Sequence, residues 1–152
     1  MVLSNAYDII AEDIDDLILE IGKNKAAIKN LLAAKDKLIQ NIDKTMRNRA
    51  KKGDVFTEAQ MLDYREFSEF YMAESAILTC YIARLGKKMS QNRLRQEVMK
   101  PHADLPTLHK GLEAIVQLQQ RAIAVLTDIV AMAEHISNVL VLSNHPLKYK
   151  HP

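Results

Sequence analysis

What most constrains this chain is a stripe of positions that runs without interruption through its first third: Tyr7, Ile10, Ile14, Leu17, Ile21, Asn24, Ile28, Leu31, Lys35, Leu38, Ile42 and Thr45, mostly apolar and spaced alternately by three and four. Only an α-helix keeps such positions on one face, so residues from about 5 to 51 are expected as a single helix with a heptad seam. At 1.5 Å per residue that helix spans roughly 70 Å. A compact globule of this size does not bury so long an element, and the expectation is a rod.

Two further segments repeat the theme. The second helix is expected from about 58 to 99, with Tyr64, Phe67, Tyr71, Glu74, Leu78, Ile82, Leu85, Met89, Asn92 and Gln96 in its seam. The third, from about 105 to 142, carries Leu108, Leu112, Ile115, Ala122, Leu126, Ile129, Ala133, Ile136 and Leu140 on one stripe. Beside it Leu118, Val125, Met132 and Val139 form a second stripe, so this helix should touch two neighbours. Packing against the first two helices is the simpler use of that width, and a partner protein is the other.

The breaks are as informative as the seams. Gly53 after Lys51 and Lys52 suits a left-handed helix C-terminus, and Thr57 with Gln60 three residues on reads as a capping box, flanked by Phe56 and Met61 in staple positions. A second break lies at Lys100–Pro106. Together they define an all-α chain, an elongated antiparallel up-down-up three-helix bundle over 1–142 with a C-terminal tail at 143–152.

Charge supports the antiparallel arrangement. Both of the first two helices begin acidic and end basic, so folding one back on the other opposes unlike charges, each exposed pair being worth only about 0.2–1 kcal/mol. A short turn near Gly53 makes facing residue numbers add to roughly 108–110. Lys35 then meets Glu74, and a seam ion pair is expected because two isolated buried charges are costly. Gly22 and Gly86 fall level in the same register, from a close approach of the third helix or from coincidence.

Chemistry is sparse. The five histidines include no i, i+4 pair and no helix carries Glu-x-x-His, which leaves no residue support for a metal centre. No glycine-rich loop exists to cradle phosphate, and Cys80 reads as small buried packing. No catalytic residue, cofactor or metal is therefore expected, and the chain reads as a non-enzyme. A single cysteine fits a reducing compartment, the N-terminus lacks a cationic start, and the apolar third helix is interrupted by Glu113, Gln117, Arg121, Asp128 and Glu134. The expectation is a cytoplasmic protein with no membrane span, secretion without a cleaved signal remaining open.

Six of the eight aromatic residues, Phe56, Tyr64, Phe67, Phe70, Tyr71 and Tyr81, cluster around the first half of the second helix, where they serve core or an exposed groove. Long seams without chemistry point to contact as the function: a protein-binding adaptor, chaperone-like factor or regulatory subunit, with homo-oligomerisation plausible. The alternative is nucleic-acid binding through a basic end. Lys44, Arg47, Arg49, Lys51 and Lys52 would gather with Lys148 and Lys150 in a basic tip that docks an acidic protein surface first and nucleic acid second, although a net charge of +2 gives little global attraction.

Overall fold

In the computed structural model, which describes residues 2–53, 55–100 and 104–142 (side chains from residue 8 to residue 140), the chain forms three α-helices: α1 (Val2–Lys51), α2 (Glu58–Met99) and α3 (Leu105–Leu142). Among the described residues there is no strand. The α2 and α3 limits coincide with those expected from sequence, and α1 begins three residues earlier.

Local chemistry accounts for the helix ends. Gly53 closes α1 with a φ of 72°, the left-handed region open to glycine, while the Lys52 amide donates to the Asn48 carbonyl at 3.1 Å. At the start of α2 the capping box forms reciprocally: the Thr57 amide donates to Gln60 Oε1 at 2.9 Å and the Gln60 amide to Thr57 Oγ1 at 3.1 Å. Phe56, half-buried, packs against the hydrophobic core, whereas Met61 is 43% exposed. Asp104 opens α3, accepting from the Thr107 hydroxyl at 2.6 Å and the Thr107 amide at 3.3 Å. Pro106 sits in the first turn, where a missing N–H costs nothing.

Contacts divide the chain into two compact units, and each helix contributes to both. The first unit comprises residues 1–29 and 77–124. Here Leu112, Ile115, Val116, Leu118 and Ala122 of α3 are buried with Ile14 of α1 and Leu78 and Leu85 of α2. A polar layer crosses this core. Gln119, 2% exposed, accepts from Asn24 Nδ2 at 3.2 Å and donates through Nε2 to the Ile21 carbonyl at 3.1 Å. Both ends of the buried amide are thus satisfied, which removes the roughly 1–3 kcal/mol that an orphaned polar group costs.

The second unit comprises residues 30–76 and 125–152. Its core joins Ile42, Phe67, Ala133, Ile136 and Leu140, flanked by Leu38, Met46, Phe56, Tyr64, Tyr71 and Met132. The Phe67 and Tyr71 rings meet at 5.9 Å between centres. The aromatic cluster of α2 is therefore core here, with Phe70 half-buried as well.

Several sequence expectations change. The Lys35 ammonium pairs with Asp36 at 3.1 Å and stands 6.0 Å from the centre of the Tyr71 ring, so its ion pair is made with its own chain neighbour and not with Glu74. Tyr71 lies one helical turn before Glu74, and its ring, not the Glu74 carboxylate, stands under the ammonium of the half-buried Lys35. Cys80 is exposed, because two residues from buried Leu78 means a rotation of about 200° around α2. Gly22 and Gly86 have open space where a side chain would start, so neither marks a close approach. The close approach is at Gly111, where an added Cβ would lie 2.6 Å from Asn92 Oδ1 of α2, a side chain itself only 5% exposed.

These glycines make contrasting predictions. Gly22→Ala and Gly86→Ala should each stabilise the fold by about 0.5–1 kcal/mol through helix propensity. Gly111→Ala should destabilise it, since the buried Asn92 amide has to move, and chemical denaturation of the three variants measures the difference in sign. A second prediction concerns pH. The Thr107 hydroxyl and amide, with a smaller contribution from Arg95, hold the Asp104 carboxyl below its ordinary value of 3.8. A lowered folded-state pKa contributes stability above the unfolded value that is lost as pH falls through the folded one. Asp104→Ala should therefore lower the melting midpoint near neutrality, and the deficit should shrink progressively as melts are repeated below about pH 4.

Candidate functional site

The residues left over from core formation define where this molecule can act. Large apolar side chains more than a third exposed occur on α1 and α2 and in the turn between them, and not on α3 among the described residues. In the first unit they are Ile9, Ile18 and Leu19 of α1 and Ile77, Ile82, Leu94 and Val98 of α2. In the second they are Val55, Met61, Leu62 and Met72. The third helix, which seemed from sequence to carry the apolar surplus, instead exposes small and polar residues: between 123 and 140 these are Ala124, Thr127, Asp128, Ala131, Glu134, His135 and Asn138. Its apolar width is absorbed in the two cores.

By length and composition alone α3 could cross a membrane, the stretch Leu105–Leu140 containing a window of mean hydropathy 1.4. A core helix passes the same test; 28% of that window is buried, and the large apolar residues of 123–140 are buried or half-buried.

Leu94 and Val98 are four residues apart and thus share a face of α2, 62% and 78% exposed. The charges beside them are mainly basic, Arg93 and Arg95, with the exposed Glu97 between Leu94 and Val98. From Ser75 to Gln96 the chain has no Asp or Glu and carries Arg84, Lys87, Lys88, Arg93 and Arg95. In α1 the reverse holds: Ile9, Glu12, Asp16 and Leu19 follow one another at helical spacing, all exposed, on an acidic and apolar face.

Between α1 and α2 of the first unit runs a groove of about 380 Å³. Ile18, Ile21 and Met89 form its apolar walls over Leu112 and Ile115, and its charged lining residues are Lys25 and Arg93. A smaller hollow of about 150 Å³ lies between α2 and α3, lined by Arg84, Lys88, Gln117 and Arg121 over Ala114 and Leu118. On the opposite flank, His109 of α3 contacts Glu113 at 2.6 Å through Nδ1 and faces Asp13 of α1 at 3.9 Å through Nε2. Among the described residues no group of three or more His, Cys, Asp or Glu side chains is arranged to hold a metal ion.

The basic set expected at the end of the first helix divides. Lys44, Arg47, Lys51 and Lys52 are exposed, but Arg49 is 5% exposed. Its guanidinium lies 4.0 Å from the centre of the Phe56 ring and donates to the Val55 carbonyl at 3.5 Å. Arg49 is thus spent on docking the turn before α2 and does not present its charge to a partner. Lys148 and Lys150 lie outside the described residues. In the sequence the staple position of Phe56 hides this role, yet an aromatic seven residues beyond an arginine across a glycine turn is the signal that points to it.

Compared with protein-family models, curated proteins and solved structures, the chain matches none.

The Arg49 geometry makes a quantitative prediction. Arg49→Ala should cost about 1–3 kcal/mol in denaturant unfolding, through the lost ring contact and hydrogen bond. Alanine at Lys44, Arg47, Lys51 or Lys52 should change stability by no more than about 0.5 kcal/mol.

Proposed function

We propose that this chain is a non-enzymatic helical interaction protein, an adaptor or regulatory subunit, whose contacts run through the outer face of α2 in the first unit. The observation that carries this reading is the exposed Leu94–Val98 pair at the C-terminal end of the five-base run, Leu94 inside the acid-free stretch 75–96 and Val98 just past Glu97. Apolar side chains supply affinity that salt does not screen, and the bases select an acidic, amphipathic partner segment. The first helix of the chain itself has that chemistry in Ile9, Glu12, Asp16 and Leu19, so a second copy belongs among the candidate partners.

The bundle we infer is up-down-up with heptad seams. In the first unit, Asp13 and Glu20 face His109 and Gln120 in the same order along both helices, which supports parallel α1 and α3. Gln96 lies with Leu108, and Arg84 with Arg121, in opposite order, which supports antiparallel α2 and α3. In the second, Arg49 with Phe56 and Lys35 with Tyr71 supports an antiparallel hairpin. Seam spacing is supported by burial: Ile10, Ile14, Leu17, Ile21, Asn24, Ile28, Leu31, Lys35, Leu38 and Ile42 are all buried or half-buried. A cytoplasmic setting, without a membrane span, is part of the same reading, supported by the inward turn of the α3 apolar residues and a lone cysteine.

Leu94→Ser with Val98→Ser should leave the helical content unchanged while abolishing binding to the partners that the intact chain retains in affinity capture. Sedimentation over a concentration series should show the same substitutions removing any self-association. Undiminished binding by the double variant to every partner sinks the proposed face.

A further inference from the structure

The α2–α3 hollow of the first unit gathers Arg84, Lys88 and Arg121 around about 150 Å³, and none of the three pairs with a carboxylate among the described residues. Bringing three cations together without counter-charge is unfavourable, and proteins ordinarily interleave acids where bases cluster. Here both helices withhold them. On α2 the nearest acids are Glu74 and Glu97, ten residues before Arg84 and nine after Lys88, or about 14–15 Å along the axis. On α3 they are Glu113 and Asp128, about 10–12 Å from Arg121 along the axis, a distance comparable to or beyond the screening length of about 8 Å in physiological salt. The α1 acid beside this part of α3, Glu20, is engaged by Gln120 Nε2 at 3.3 Å.

We infer that this hollow is a binding site for a phosphate group. The donor set decides the class. Two guanidiniums offer planar, paired N–H groups that match oxyanion edges, Lys88 adds a point charge from a half-buried position, and the Gln117 amide supplies a neutral donor. A carboxylate carries one charge and two oxygens, too few for this set. A phosphomonoester carries between about −1.5 and −2 at neutral pH with three strong acceptor oxygens, which matches three cations and an amide. The small side chain of Ala114 at the base leaves the space open, and buried Leu118 fixes its floor. This site shares Arg84 and Lys88 with the basic run of α2 but contains neither Leu94 nor Val98, so the apolar pair can be removed without touching it.

The test is thermal melting and calorimetric titration of the full chain with inorganic phosphate against chloride at equal ionic strength. Phosphate should raise the melting midpoint by about 3–5 °C at ten times its dissociation constant, with chloride giving no saturable change. Lys88→Gln with Arg121→Gln should weaken binding at least tenfold while circular dichroism stays unchanged, and Lys88→Arg should retain it. Leu94→Ser with Val98→Ser should leave phosphate binding intact, which separates this proposal from the interaction face. Vesicles containing phosphatidic acid distinguish the source: co-sedimentation lost in the Gln variant supports a lipid phosphate, and saturation by inorganic phosphate alone supports a free one. A shift equal to that of chloride, binding undiminished in the Gln variant, or a preference for oligonucleotide carried instead by Lys51 and Lys52 overturns the site.

Discussion

The structure depends on the burial of α3. Ten of the fifteen buried apolar side chains among the described residues belong to it, from Leu112 to Leu140. Each fully buried Leu or Ile contributes about 1.5–3 kcal/mol relative to exposure, so α3 is the element around which α1 and α2 find their contacts in both units. Placing the most apolar helix at the centre has a consequence for the other two. They are obliged to bury only a narrow line each, and α2 shows this most clearly: its buried residues are Phe67, Leu78, Leu85 and Asn92. The remaining surface of α2 is free to carry residues that the fold does not need.

The two units solve the problem of specificity differently. In the second, shape does the selecting, through Phe67 and Tyr71 against Ile42, Ile136 and Leu140. In the first, a buried amide contributes. Gln119 is satisfied when Asn24 and the Ile21 carbonyl stand opposite it, and a one-turn slip of α1 would bury its polar atoms without partners. Asn92 against Gly111 acts on the α2 side in a steric sense, since only a residue without a Cβ admits the amide there.

Charge is handled with little close pairing. Arg49 aside, the close pairing among the described residues is Lys35 with Asp36 at 3.1 Å, beside the His109 contact to Glu113 at 2.6 Å. Acid on the outer face of α1 and base on α2 therefore remain exposed to water. The same separation gives the α2–α3 hollow its one-signed lining. Terminal complementarity with the helix dipoles is modest, because only Glu58 lies in a first turn, and only Arg49 and Lys51 in a last one.

The sequence by itself determined the helices and their ends. Periodicity is a property of a single backbone, and the Thr57–Gln60 box and the Gly53 terminus are exchanges of hydrogen bonds and dihedral freedom within a few residues, so no distant contact was needed to read them. The absence of acids between Glu74 and Glu97 was likewise written in the chain, but its importance was not. Only tertiary structure decided that Arg49 stacks on Phe56, that Lys35 lies over Tyr71 and pairs with Asp36, that Cys80 faces out, and that Arg121 joins Arg84 and Lys88 around one hollow. Each of these turns on which neighbour covers a given face and how far a long side chain reaches, and a seam that repeats every seven residues is compatible with several registers whose faces differ by a single turn.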